Sequence, residues 1–209
     1  VFLSLGLSAQ PVHLYVLTPS LRRRALSSRS WLLTGIDVVL FFSSGTTSLP
    51  KGIFHAHRAV SVQWWRMPAM FDTKGDVRVW TANGFFWSGN FAMVIGNALA
   101  SGGSIVLQSI FDPEEALRLM ETERVSYPIA SPHQWSRLES APNWRTADLS
   151  SLRYVDYRYP NRDQGTISSD WRMPLAYGAT ETLAINCATN GMSGDLPAAV
   201  NDCNEAIRL

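Results

Sequence analysis

Five hydroxyl side chains stand within six positions at Ser43, Ser44, Thr46, Thr47 and Ser48. Gly45 lies among them, and Lys51-Gly52 closes the stretch SSGTTSLPKG. Backbone N–H groups released by a glycine turn, together with hydroxyl donors, can wrap the oxygens of a phosphate. Pro50 stiffens the exit, and Lys51 supplies a point charge for terminal phosphates. The lysine stands out because Lys51 and Lys74 are the only two in the chain, the other basic residues being arginines. The stretch is not a Walker loop, which needs Gly-Lys followed by Ser or Thr; here Leu49 and Pro50 precede the lysine. Taken alone, it is also compatible with a Ser/Thr-rich surface turn.

It does not stand alone. The stretch resembles the phosphate-binding loop of the adenylate-forming superfamily, which includes acyl- and aryl-CoA synthetases, luciferases and peptide-synthetase adenylation domains. The usual form ends Thr-Thr-Gly-x-Pro-Lys-Gly, with a His-Arg or His-Lys pair a few residues on; here His57-Arg58 comes after Lys51-Gly52. Tyr177 to Thr182, YGATET, resembles the family's Tyr-Gly-x-Thr-Glu signature, in the same order along the chain. The resemblance implies that Ser43, Ser44, Gly45, Thr46, Thr47, Ser48 and Lys51 embrace the phosphates of ATP. It places Tyr177 against the adenine with Gly178 beside it, Thr180 at the α-phosphate, and Glu181 on Mg²⁺, a metal that prefers hard carboxylate oxygen. Lys51, Thr180 and Glu181 are thereby the catalytic candidates. Asn83 to Phe91, NGFFWSGNF, resembles the aromatic segment that lines the acid pocket, with Phe86 at the usual histidine position. Phe85, Phe86, Trp87 and Gly89 are the candidate wall, although aromatic residues in a run are as often ordinary core.

The implied reaction is acid–CoA ligation. A carboxylate attacks the α-phosphate of ATP, giving an acyl-adenylate and pyrophosphate; coenzyme A then displaces AMP to leave a thioester. The expected partners are ATP, coenzyme A and a hydrophobic carboxylic acid of the fatty-acyl or aryl kind. Ser48 stands where the family usually has glycine, and Tyr154 to Asn161 lacks the glycines that usually flank the adenine. Two alternatives therefore stay open: an adenylation domain serving a carrier protein, and a non-catalytic nucleotide-binding remnant. The family's ribose-binding segment, hinge and small C-terminal domain with its catalytic lysine are not found among these 209 residues. Residues 1–209 are accordingly read as a central part of the large N-terminal domain, without ligase activity alone.

The elements that must position these residues are predicted by hydrophobic pattern and punctuation. Val38 to Phe42 is a continuous apolar run, expected as a strand covered on both faces, feeding the loop and then a helix-compatible stretch from Ile53 to Met70. Val12 to Leu17 alternates and predicts a strand, while Leu21 to Ser30, with its arginines, predicts a solvated loop or surface helix. Phe91 to Ala100 predicts a buried helix stopped by Ser101-Gly102-Gly103, then a strand at Ile105 to Leu107. Asp112 is an N-cap candidate with Pro113 and Glu115 behind it, Ala116, Leu117 and Met120 as inward stripe, and Glu114 facing Arg118. A strand is expected over Val125 to Ile129 and a helix from near Pro132. Strands alternating with helices indicate an α/β fold of layered sheets with flanking helices.

Composition agrees with a globular domain. The chain is 46% hydrophobic, which excludes a disordered protein. Eighteen basic against seventeen acidic residues give a charge of +1, which makes no case for a nucleic-acid partner. No apolar run approaches the ~20 residues of a membrane span. Cys187 and Cys203 have no metal-ligand spacing, so they are expected as reduced thiols in a cytoplasmic protein. The particular acid and the oligomeric state are not legible.

Overall fold

The computed structural model describes residues 12–15, 37–43, 50–156, 164–184 and 187–189. The arginine-rich stretch Leu21 to Ser30 and loop residues Ser44, Gly45, Thr46, Thr47 and Ser48 lie outside the described residues, as does Cys203.

The first strand, β1 (Val12–Tyr15), lies where the alternation predicts it. Next come β2 (Asp37–Phe42), β3 (Gly52–Ala56) and the helix α1 (His57–Met70). Two expectations fail here. The helix does not begin at Ile53: residues 53–56 belong to β3, which pairs antiparallel with β2 and sets Ile53 opposite Phe41 and Phe54 opposite Leu40. Nor is β2 covered on both faces. Phe41 is 4% exposed, whereas Phe42 is 67% exposed and Val38 and Leu40 are also open. Apolar runs do not report facing, and an antiparallel hairpin needs only one covered side.

The central sheet adds β4 (Arg78–Thr81), β5 (Ser104–Leu107) and β6 (Tyr127–Pro128), in the order β1-β5-β4-β6. Strand β4 runs parallel to both β5 and β6, and β1 closes the edge antiparallel to β5. Between β4 and β5 a helical stretch over residues 88–101, α2, combines an α turn (Ser88–Asn90), a π segment (Phe91–Ile95) and an α-helix (Gly96–Ser101). Gly102 ends it at φ 74°, in the left-handed conformation that glycine adopts without strain. Gly103 passes so close to the backbone of Val77 that a Cβ would lie 1.9 Å from its carbonyl oxygen.

Helix α3 (Pro113–Thr122) starts as expected: the Glu115 N–H donates to Asp112 Oδ1 at 2.8 Å. Arg118, however, pairs with Glu115 rather than Glu114, because the guanidinium fork meets both carboxylate oxygens three residues back, at 2.6 Å each. That hydrogen-bonded guanidinium holds the Glu115 carboxyl below its ordinary value. Helix α4 (Pro132–Glu139) has a reciprocal capping box between Ser131 and Gln134. The strand expected over 125–129 shortens to two residues, since Pro128 has no N–H to donate. Both faces of β4 and β5 are buried. Trp80 and Val106 pack against Leu117, Met120 and Leu138, while Val79 and Ile105 pack against Val94 and Ala98 of α2. The strand β7 (Leu175–Tyr177) pairs antiparallel with β8 (Cys187–Thr189). Among the described residues no helix is long and apolar enough to cross a membrane.

Candidate nucleotide and acid site

The hydroxyl-rich stretch lies along the chain between β2 and β3. Its base is clipped by two reciprocal bonds: Ser43 N–H to the Lys51 carbonyl at 2.9 Å, and Lys51 N–H to Ser43 Oγ at 3.2 Å. Lys51 is exposed, so its ammonium is open to an approaching anion. The Ser43 hydroxyl accepts from Lys51 and keeps its own proton to donate.

The second segment folds as a strand end and a tight turn. Tyr177 closes β7, Gly178 is exposed, and Thr180–Thr182 form a 3₁₀ turn. Within it the Ala179 carbonyl accepts from the N–H groups of Thr182 and Ala184, and Thr182 Oγ1 accepts from Ala179 N–H at 3.1 Å. Glu181 projects exposed from the turn, and Thr180 is half-buried. Two side chains from the hairpin side reach this turn. His55 Nε2 donates to the Thr180 carbonyl at 2.7 Å, and Gln63 Nε2 donates to the Leu183 carbonyl at 3.1 Å. The pattern reading singled out His57-Arg58, which the structure leaves exposed, and missed His55. The available signal was a polar residue set in the otherwise apolar run Ile53 to Ala56.

A cavity of about 520 Å³ opens beside α2 and β6. Phe86 and Trp87 line it from the rim, 86% and 52% exposed, and Met93 reaches it from the π segment. Phe85 does not line it and packs instead against the core cluster of Val79 and Ile129. Gly89 is buried behind the wall; a Cβ there would stand 2.5 Å from the Trp87 indole, so glycine leaves room for that ring. The far wall was not foreseen. Tyr127, Tyr154 and Trp171 meet edge to face with centroids 5.5 to 5.8 Å apart. The Tyr154 hydroxyl bonds both backbone groups of Lys74, and Trp171 Nε1 donates to the Phe71 carbonyl at 2.9 Å. The Tyr127 hydroxyl is buried without a hydrogen-bond partner, and burial pushes its pKa upward. Asp156, also in the lining and buried, accepts from Met173 N–H at 3.0 Å. Met93, Trp171 and Met173 of the cavity wall and Ala184 at the end of the Glu181 turn each pack against the buried pair Met67 and Phe71.

Among the described residues no three His, Cys, Asp or Glu side chains converge as a metal site. A lone exposed carboxylate such as Glu181 still suits Mg²⁺, which is commonly held by one or two carboxylates together with substrate phosphates and water.

The family model for the AMP-binding enzyme matches residues 37–203, and the chain belongs to this family of adenylate-forming enzymes. It is similar to a feruloyl-CoA synthase from Amycolatopsis sp, 35% identical over 124 residues that cover 58% of this chain and 25% of that protein. It is also similar to an indoleacetate–CoA ligase from Aromatoleum aromaticum, 29% identical over 152 residues, 71% of this chain and 30% of the relative. The chain thus spans between a quarter and a third of these relatives. Among solved structures, ATP-bound MatB from Rhodopseudomonas palustris aligns with a TM-score of 0.57 at 21% identity, covering 75% of this chain and 31% of that one. The N-terminal domain of FACL13 from Mycobacterium tuberculosis aligns at 0.54 and 23%, covering 66% and 35%. These likenesses establish the fold: the α/β layers are those of an adenylate-forming N-terminal domain.

Proposed function

We propose that the chain is the nucleotide-binding part of an ATP-dependent acid–CoA ligase acting on a hydrophobic carboxylic acid. The observation that carries this reading is the bond from His55 to Thr180, which joins segments 125 residues apart into one site. It holds the strand that leaves Lys51 against the turn that bears Glu181. An aromatic-lined cavity, whose wall packs on the same buried pair Met67 and Phe71 as the end of that turn, gives the acid a place to bind.

The acid is already ionised at neutral pH, so no general base is needed. Its oxygen attacks the α-phosphorus, the bond to the pyrophosphate oxygen breaks, and coenzyme A sulfur later displaces AMP from the acyl carbon. Lys51 and the hydroxyl loop neutralise the leaving pyrophosphate, Thr180 orients the α-phosphate, and Tyr177 and Gly178 border the adenine. Bound Mg²⁺, held at Glu181, would supply further charge neutralisation on the phosphate oxygens. Catalysis in such a site is positioning and electrostatic stabilisation. Two cysteines in 209 residues are too few for the disulfide framework of a small secreted domain, which accords with a cytoplasmic setting. As residues 1–209 alone, the chain binds nucleotide without forming thioester.

Calorimetric titration with Mg·ATP tests the reading. Lys51→Ala should weaken binding about tenfold, the worth of one charge-assisted hydrogen bond, with the unfolding midpoint unchanged. Equal affinity in both proteins would remove Lys51 from the site. Thioester formed by the 209 residues from octanoate, palmitate or benzoate would overturn the claim that they are inactive alone.

A further inference from the structure

We infer that His55 and Gln63 are positioning residues that hold the Thr180–Thr182 turn, and with it Glu181, in the shape the phosphate site requires. The inference deepens the proposed function and rests on it for its catalytic meaning. Two consecutive non-glycine residues end the turn in the left-handed region, Leu183 at φ 53° and Ala184 at φ 76°. Such residues are strained and persist only where their surroundings over-determine them.

Three contacts from outside the turn do so. His55 donates to the carbonyl just before Glu181, Gln63 donates to the carbonyl two residues after it, and the Leu183 side chain is buried against Phe41 and Val60. His55 is itself fixed, 5% exposed, with its ring 6.1 Å from that of Phe41. A carbonyl can only accept, so the Nε2 atom of His55 carries a proton. The Thr180 carbonyl also takes the Leu183 N–H at 3.1 Å, so the turn can survive loss of the histidine while losing its anchorage. Both donors stand on β3 and α1, the elements that leave the phosphate loop directly. Loop base and carboxylate turn therefore move as one body, and small misplacements at a reacting site are costly.

Five variants of the 209-residue chain test this: His55→Leu, His55→Gln, Gln63→Leu, Glu181→Gln, and Glu181→Gln combined with His55→Leu. The first readout needs no ligand. Amide hydrogen exchange at Thr182, Leu183 and Ala184 should quicken in His55→Leu and Gln63→Leu, stay slow in His55→Gln, and leave the α3 amides unchanged. The second is Mg·ATP titration at varied Mg²⁺. His55→Leu should weaken binding about tenfold and raise the Mg²⁺ requirement, with no further loss once Glu181 is already Gln. Unaltered exchange overturns the inference; quickened exchange with unaltered affinity leaves only a structural tie and overturns positioning. Absence of Mg·ATP binding in the unmodified chain overturns the proposed function instead, and exchange then still decides whether the two side chains hold the turn.

Discussion

The β4–β5 sheet and the β2–β3 hairpin are both built from apolar runs, yet they are covered differently. Trp80, Val79, Ile105 and Val106 are buried on both faces of the sheet, between α2 on one side and α3 and α4 on the other. The hairpin buries Phe41 and His55 and leaves Phe42 and Phe54 67% and 63% exposed. Burial of a large apolar side chain contributes about 1.5–3 kcal/mol, so the sheet holds the fold. The hairpin carries the loop and Lys51, and its buried face is spent on anchoring the Glu181 turn. In the proposed function the phosphate chemistry belongs to the hairpin side and the stability to the sheet, and side-chain bonds from His55 and Gln63 tie the hairpin side to the Glu181 turn.

The contrast is broken or sharpened by substitution, each change read by urea unfolding. Trp80→Ala empties the middle of the sheet and should cost about 3–5 kcal/mol; a loss below about 1 kcal/mol would show that the sheet is not the stabilising core. Asp112→Ala removes the cap of α3 and should cost about 1 kcal/mol, with Asp112→Asn retaining most of it. Tyr127→Phe deletes a buried hydroxyl that has no partner, so stability should hold or rise by about 1 kcal/mol; a clear fall would mean that the hydroxyl has a partner in solution. Phe54→Thr, on the open face of the hairpin, should change stability by less than about 0.5 kcal/mol, and a larger loss would show that this face is covered in solution.

Where signals are local, the sequence was readable. The Asp112 cap, the helix start at Pro132, the stop at Gly102 and the strand at β5 depend on neighbours within a turn of chain, and the structure places them where those residues predict. The family resemblance was legible for the same reason, since its motifs are contiguous. Arg118 chose Glu115 over Glu114 because rotamer geometry settles pairs that spacing leaves equal. The strand at residues 53–56 was missed because its reason lies across the hairpin, in the partners Phe41 and Leu40.

The chain's own order of residues determined the α/β layers, the hydroxyl loop with its lysine and the carboxylate segment, because each is written in adjacent positions. Tertiary structure alone decided which aromatics line the cavity. Phe85 turned to the core, while Tyr127, Tyr154 and Trp171 came together from three separate segments. It also decided that a histidine on β3 and a glutamine on α1 hold the turn beside Glu181. Those contacts depend on which faces meet when the sheets and helices pack, and no spacing along a single strand or helix encodes that.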